Sequence, residues 1–264
     1  MAKACLTHLL FTAFYTSIIW LSFPVNAQVP PPNYAPLEKR VNYQKCMRLA
    51  RNSPDKGFEE ALRWQDHGGA DAARHCAAVA LIHLRQFKEA AVRLEALAQN
   101  MPKSTPDAVR AEIFAHAGQA WLEANDPTHA FTLQSIAIKL NPQNAQLWVD
   151  RATTHASTGR YADAVEDLSE SLKLRPGSAE AWTLRASAHR YAGNLAAARH
   201  DVVRAISIDP AHAGGLLESG ILKRLAGDKD SARQEWLKLI ELHEGSPAAE
   251  TAKRNLEILD VNSQ

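Results

Sequence analysis

Two cysteines and two histidines are the residues of this chain whose chemistry could build a metal site. Cys46, His75, Cys76 and His83 carry the thiols and imidazoles that zinc prefers, and His75 and His83 are eight residues apart, about two turns of a helix. Their spacing, however, matches neither the Cys-x-x-Cys nor the His-x3–5-His pattern of zinc sites. A Cys-x-x-Cys-His sequence for covalent haem is also absent. We therefore expect no metal and no cofactor.

A second pair of histidines, His155 and His189, shares a 34-residue interval with other residues of the chain. Catalysis by either imidazole would need an acidic or nucleophilic side chain at the same depth in the fold. The simpler interpretation is that both rings pack between helices. Trp148 and Trp182 have the same spacing and are interpreted as packing residues too. The sequence shows no nucleophile elbow, phosphate loop, zinc-protease helix or dinucleotide-binding glycine pattern. It therefore predicts no catalytic residues and no enzyme activity.

The composition is that of a globular protein with balanced charge. The chain has 264 residues, 46% of them apolar, and a net charge of +1 from 30 basic and 29 acidic residues. Residues 1–27 hold one basic residue, Lys3, and no acidic one, so the remainder has 29 of each sign. A nucleic-acid-binding protein normally carries a basic excess. Nucleic acid is therefore not an expected partner.

Residues 1–27 have the pattern of a secretory signal peptide. Lys3 gives a positive start, Leu9 to Phe23 are mostly apolar, and Val25-Asn26-Ala27 supplies the residues expected before a cleavage site. An uncleaved membrane anchor is the alternative, but the apolar run of about 15 residues is shorter than the roughly 20 that a spanning helix needs. We expect cleavage, no other membrane span, and a periplasmic or secreted protein. Residues 28–36 contain four prolines and are predicted to be an extended linker.

Cys46 and Cys76 are the only cysteines that remain after such a cleavage. An even pair of cysteines in an exported protein indicates a disulfide. The bond would close a loop of about 30 residues, which stabilises the fold by about 3–4 kcal/mol in the chain-entropy model. Two buried free thiols are the alternative.

An internal 34-residue repeat is the dominant signal in the sequence. When the sequence is aligned with itself at an offset of 34 residues, Trp148 aligns with Trp182, and several glycines, alanines and prolines align as well. The aligned sets are Gly159, Gly193 and Gly227; Ala164, Ala198 and Ala232; and Pro142, Pro176 and Pro210. Proline at a repeat boundary ends one helix and begins the next.

Each period is predicted to form two amphipathic helices. Within 145–176, the helices are Ala145–Thr158 and Tyr161–Leu174, with Gly159 in the turn. Apolar residues of the second helix recur at the spacing of one helical face. Because so short a hairpin cannot bury its apolar face alone, it must stack on its neighbours. The sequence therefore predicts an all-α fold.

These residues resemble the tetratricopeptide repeat family, whose 34-residue pattern runs Trp, Leu-Gly, Tyr, Ala, Phe and Pro. The best matches are Trp148, Ala152, Gly159, Tyr161, Ala164, Leu168 and Pro176, followed by Trp182, Ala186, Gly193, Leu195, Ala198, Val202, Ala205 and Pro210. The resemblance implies a right-handed α-solenoid of helix-turn-helix repeats with units 111–144, 145–178, 179–212 and 213–246. Residues 37–110 are predicted to hold degenerate helical repeats, with an offset of six residues near Ser104-Thr105-Pro106. Residues 247–264 are predicted to form a capping helix and a tail.

The resemblance also implies that the first helix of each pair lines a concave groove that binds a partner protein or peptide. Projection of that face onto this chain selects Gln146, Val149, Thr153, Glu180, Thr183, Ser187, Arg190, Tyr191, Leu217, Ile221 and Arg224. Arg190 and Arg224 would suit a carboxylate of the partner. Alternatively, both arginines are solvated charges and Leu225 beside them belongs to the interhelix core.

The function that these patterns predict is an exported scaffold that binds another envelope protein. One alternative is a factor or enzyme of cell-wall metabolism, which would need two carboxylates facing each other across a cleft. Glu112 and Glu123 would lie about 16 Å apart along one helix, too far for that role. A third possibility is an array that associates with itself, and the oligomeric state stays open.

Overall fold

A computed structural model describes residues 37–261 of the chain, with side chains for residues 41–260. The predicted signal peptide (1–27), the predicted linker (28–36) and the last three residues of the tail lie outside this range. Every regular element between residues 37 and 261 is a helix, and no strand occurs among them. The described residues divide between positions 177 and 178 into two compact units, here called the N-terminal unit (37–177) and the C-terminal unit (178–261).

The N-terminal unit consists of four consecutive helical hairpins. Neighbouring helices pack in chain order, and the first helices of some adjacent hairpins also contact each other. A π-helical turn, Gln65–Gly69, joins the first hairpin to the second. The helices are α1 (Leu37–Asn52), α2 (Pro54–Trp64), α3 (Ala70–His83), α4 (Phe87–Asn100), α5 (Asp107–Glu123), α6 (Pro127–Leu140), α7 (Ala145–Ser157) and α8 (Tyr161–Leu174).

The C-terminal unit continues the same alternation and ends on an unpaired first helix. Its helices are α9 (Ala179–Tyr191), α10 (Leu195–Ile208), α11 (Ala213–Leu225), α12 (Lys229–Leu242) and α13 (Pro247–Val261). The three first helices begin one repeat length apart, and α13 packs against both α11 and α12. Side chains cap the helix starts: Ser178 Oγ, for example, accepts a hydrogen bond from the backbone N–H of Ala181.

The turns inside the hairpins explain the aligned glycines. Gly159, Gly193 and Gly227 have φ angles of +76°, +82° and +85°, a left-handed conformation that glycine adopts without steric cost. Asn125 and Arg85 take the same conformation in the two preceding hairpins, with φ of +64° and +60°. The step from Arg85 to Asn125 exceeds the repeat length by six positions, so the structure contains the offset predicted near Pro106.

The two helices of a hairpin approach closely because small and large residues face each other at fixed positions. In the last hairpin, a methyl group added to Gly220 would overlap the indole of Trp236. In the hairpin of α5 and α6, a Cβ on Gly118 would lie 2.8 Å from Cγ of Gln134. Ala186 and Val202 occupy the equivalent positions between them and pack in one cluster. A larger residue on one helix is thus compensated by a smaller one on the other.

We expect Gly220→Ala to lower the free energy of unfolding by about 1–3 kcal/mol, because the core around Trp236 has no space for the methyl group. Adding Trp236→Leu should recover part of that loss, since alanine opposite an aliphatic residue is the native pairing one hairpin earlier. Urea unfolding of the single and double variants, followed by circular dichroism, measures this coupling. Strictly additive effects of the two substitutions would contradict the proposed size compensation.

Candidate functional site

The two cysteines are bonded to each other rather than available as metal ligands. Cys46 lies on α1 and Cys76 on α3, with Cα atoms 6.2 Å and sulfur atoms 1.97 Å apart. Both residues are buried, and the bond joins the first helices of two adjacent hairpins. Among the described side chains, no three His, Cys, Asp or Glu residues gather in a way that could hold a metal ion.

His75 belongs to a chain of three rings, two of them buried and that of His116 half-buried, that the sequence did not reveal. The Tyr43 hydroxyl lies 2.8 Å from His75 Nδ1, and His75 Nε2 lies 3.2 Å from Nδ1 of His116. The three rings stack in sequence, with centroids 6.0 and 5.4 Å apart. Burial lowers the pKa of His75 to about 3 and that of His116 to about 4, and the proximity of His116 also lowers that of His75. Both imidazoles are therefore neutral at pH 7.

The surroundings of this ring chain are polar. Burial raises the pKa of Glu112 and lowers that of His83, with a further contribution from Arg51. One carboxylate oxygen of Glu112 and Nε of Arg51 are buried without a hydrogen bond. The ring chain holds three first helices together, and no nucleophile that it could activate lies within it.

His155 and His189 each contact a buried aspartate on the second helix of their hairpin. His155 Nε2 lies 3.6 Å from Asp167, and His189 Nε2 lies 3.9 Å from Asp201. Burial lowers the pKa of both histidines, against the opposing effect of the aspartates. The ring of His155 also packs 5.1 Å from that of Phe131, as the packing interpretation requires.

Each of these aspartates forms a bidentate ion pair with an arginine on the first helix of its hairpin. Arg151 donates to Asp167 at 2.8 and 2.7 Å, and Arg185 donates to Asp201 at 2.7 and 2.9 Å. The two pairs lie one repeat apart, and the aspartates are 4% and 2% exposed. An offset of 34 residues also aligns the two arginines and the two aspartates, so the repeat pattern could have identified both ion pairs from the sequence.

The predicted partner-binding positions differ in how far the structure leaves them accessible. Val149 and Thr183 are buried, and Thr183 Oγ1 donates a hydrogen bond to the carbonyl of Ala179. These two side chains are therefore not available to a partner, contrary to the sequence-based expectation. Seven further positions are half-buried: Gln146, Thr153, Glu180, Ser187, Leu217, Ile221 and Arg224.

Arg190 is also not the free cation that the sequence predicted. Its guanidinium donates to Glu218 on α11 at 2.6 and 3.1 Å, and it lies 4.1 Å above the ring of Tyr191. Glu218 is 5% exposed, so this chain itself supplies the carboxylate that was expected from a partner. Periodicity could not show this pairing, because it joins different positions of successive repeats.

One exposed residue with a large apolar side chain lies near the C-terminal end of each of the first helices α9 and α11. Tyr191 on α9 is 37% exposed, and Leu225, at the equivalent position of α11, is 48% exposed. Leu225 is therefore not part of the interhelix core. Leu217 and Ile221 pack against the core formed with α12 and α13 and present only part of their surface.

Comparison with known proteins identifies the repeat. A tetratricopeptide repeat model matches residues 117–179, 149–213 and 183–250, which together span about half of the chain. This chain belongs to the tetratricopeptide repeat family. No curated protein matches it.

Several solved tetratricopeptide repeat structures resemble the chain at low sequence identity. PilF of Pseudomonas aeruginosa is 15% identical, with a TM-score of 0.61, and the match covers 83% of this chain and 99% of PilF. MamA of Desulfovibrio magneticus RS-1 is 18% identical, with a TM-score of 0.52 and coverage of 74% and 99%. YrrB, described as having an unusual peptide-binding site, is 17% identical, with a TM-score of 0.50 and coverage of 75% and 97%. These matches confirm the predicted fold class, an α-solenoid of helix-turn-helix repeats.

Membership of the family indicates a protein that interacts with other proteins or peptides. Tetratricopeptide repeats generally serve as scaffolds without catalysis, and the absence of enzyme activity stays a prediction for this chain. None of the helices between residues 37 and 261 has both the length and the apolar content needed to cross a bilayer.

Proposed function

We propose that this chain is an exported scaffold protein that binds another protein of the cell envelope through the first-helix face of its C-terminal unit. The observation that carries the proposal is the exposure of Tyr191 on α9 and of Leu225 on α11. Tyrosine is enriched at protein interfaces, where a few anchoring residues supply most of the binding energy. Export is supported by the sequence of residues 1–27.

Site-specific photo-crosslinking in the producing cells tests this face directly. With p-benzoylphenylalanine in place of Leu225, we expect an adduct with one partner protein, and Tyr191→Ser should weaken its formation. Val203 is the matched control, because it is an aliphatic residue of the same unit, is 64% exposed and lies on the second helix α10. The same photoreactive residue at position 203 should give no such adduct.

The products separate the proposal from its alternatives. An adduct with the mass of two copies of this chain would favour self-association, and equal adducts at positions 225 and 203 would refute a specific face. Absence of any adduct at position 225 would contradict the proposed function. The same preparation tests export, because cleavage of the signal peptide predicts that the recovered chain begins at Gln28.

A further inference from the structure

The N-terminal cap of α11 is a histidine at a position where the neighbouring first helices have a serine. Ser178, His212 and Ser246 directly precede α9, α11 and α13 and are spaced by one repeat. In α9 and α13 the serine hydroxyl accepts a hydrogen bond from the backbone N–H three residues later. In α11 the equivalent bond, donated by the N–H of Gly215, is accepted by Nδ1 of His212 at 3.0 Å. A ring that can be protonated therefore caps α11, whereas hydroxyls cap the other two helices.

The backbone determines which nitrogen of the His212 ring carries the proton. A backbone N–H can only donate, so Nδ1 must offer its lone pair to Gly215. The proton of the neutral ring therefore lies on Nε2. Protonation of the ring adds a hydrogen to Nδ1, which would then face the N–H of Gly215 as a second donor. The cap of α11 requires the neutral ring.

Thr183 on α9 provides a second partner for the same ring nitrogen. Its buried Oγ1 lies 3.2 Å from Nδ1 of His212. The hydroxyl also has an acceptor of its own, the carbonyl of Ala179 at 2.9 Å. Because the hydroxyl proton can be donated to Ala179, the lone pairs of Oγ1 are available to a protonated Nδ1. The protonated ring thus has an acceptor on α9, whereas the neutral ring accepts from α11.

The charges that surround His212 come from three elements packed around the half-buried ring. Burial lowers the pKa of His212, Asp209 in the preceding loop and Glu180 on α9 raise it, and His243 after α12 lowers it. Lys238 on α12 adds a positive charge beside the same loop. The first four residues of α11 carry no charge, and the dipole of that helix opposes a cation at its N-terminus. The ring is therefore neutral at pH 7 and binds its proton below about pH 6.5, the ordinary value for histidine.

We propose that His212 is a proton-controlled switch at the junction of α9 and α11. The neutral ring caps α11 through Gly215. When Nδ1 takes up a proton from solvent, it donates to Thr183 Oγ1, the N–H of Gly215 loses its acceptor, and the first turn of α11 loosens. This inference does not depend on the proposed function. It does concern the same helix, because α11 also carries Leu225.

Nuclear magnetic resonance of the 15N-labelled chain at several pH values tests the switch. At about pH 7.5 we expect the His212 ring to carry its proton on Nε2 alone. On acidification, the amide proton of Gly215 should shift upfield with the same midpoint as the ring, because it loses its acceptor. The amides of Ala181 and Ala249 are internal controls and should not follow this midpoint, since serine hydroxyls cap them.

The variant His212→Ser gives α11 the cap residue of its two neighbours. Its Gly215 amide should stop titrating, and the missing ring signals identify those of His212. The unfolded chain binds the proton more readily than the fold, so acid should favour unfolding of the unmodified chain over that of the variant. Below about pH 6.5, the ratio of their unfolding equilibrium constants should rise by up to about tenfold per pH unit until the ring titrates in the fold.

The variant Thr183→Val tests the second state of the switch. It removes the acceptor of the protonated ring and leaves the bond from Gly215 in place. The midpoint of the His212 titration should therefore move to lower pH. A merely structural contribution of Thr183 would change the stability of the chain without this displacement of the midpoint.

The outcomes that would overturn the switch are distinct from those of the crosslinking experiment. A neutral His212 ring with its proton on Nδ1, or a Gly215 amide that does not follow the ring, would refute the proton-controlled cap. An equal titration of Gly215 in His212→Ser would do the same. A midpoint that stays fixed or rises in Thr183→Val would refute the exchange of partners. If either variant does not fold, the titration of the unmodified chain still decides whether the ring controls the cap.

Discussion

Replacing Asp201 with alanine should lower the free energy of unfolding by about 3–5 kcal/mol. Asp201 is 2% exposed and accepts two hydrogen bonds from Arg185, whose side chain is 17% exposed. Removing the carboxylate leaves a guanidinium that is largely shielded from water without its counter-charge, and this uncompensated charge accounts for most of the cost. Urea unfolding followed by circular dichroism measures the loss.

Two variants show whether burial of the charge is responsible. Asp163→Ala removes a carboxylate from an exposed ion pair with Arg160, so it should cost much less than Asp201→Ala, because water already screens the exposed pair. Removing both charges with Arg185→Met and Asp201→Leu should be less destabilising than Asp201→Ala alone, because replacing a whole buried pair by apolar residues is often close to neutral. If the double variant were less stable than the single one, the argument from an uncompensated charge would fail.

Acidification should destabilise the N-terminal unit through the histidine pair of the ring chain. The pKa of His75 is lowered to about 3 and that of His116 to about 4, whereas both would titrate near 6.5 in the unfolded chain. Between about pH 6.5 and pH 4 the unfolded chain therefore binds more protons, so the free energy of unfolding falls as the pH falls. The slope is about 1 kcal/mol per pH unit for each histidine, which gives roughly 2–4 kcal/mol between about pH 7 and pH 5.

Urea unfolding at several pH values tests this prediction. The variant His75→Gln keeps a side chain that can hydrogen-bond to Tyr43 but cannot be protonated in this range, so it should reduce the slope by about half. His67→Gln is the control, because it removes an exposed histidine that lies outside the ring chain. The raised pKa of Glu112 acts in the opposite direction, since its protonated form is favoured in the fold. If the free energy of unfolding changed with pH by the same slope in the unmodified chain, His75→Gln and His67→Gln, the histidine pair would be excluded as the cause.

The periodicity of the sequence was sufficient to predict the helical hairpins. Helices predicted at Ala145–Thr158 and Tyr161–Leu174 are observed at Ala145–Ser157 and Tyr161–Leu174, and the glycine between them has the left-handed conformation that the turn needs. These features depend on local backbone preferences and on one apolar face per helix. Both recur in each repeat and can therefore be recognised in a single sequence.

The pairing of polar side chains could be predicted only where it also follows the repeat. The ion pairs Arg151–Asp167 and Arg185–Asp201 each join the two helices of one hairpin at the same two positions of the repeat. Aligning the sequence with itself at an offset of 34 residues therefore places one pair on the other. The contact from His75 to His116 spans 41 residues across the six-residue offset. The Arg190–Glu218 pair spans 28 residues between successive repeats. Neither contact has a counterpart that would make it visible as a repeated pattern.

The amino-acid sequence alone determined the family and the order of the hairpins, because these follow from short-range periodicity. The tertiary structure decided which charges on the first helices are already satisfied. Arg190 and Arg224 are equivalent positions of successive repeats. Glu218 of α11 pairs with Arg190, whereas the residue one repeat after Glu218 is Ala252, which carries no charge. Electrostatic satisfaction depends on the atoms that the fold brings within hydrogen-bond distance, and only the packed helices specify them.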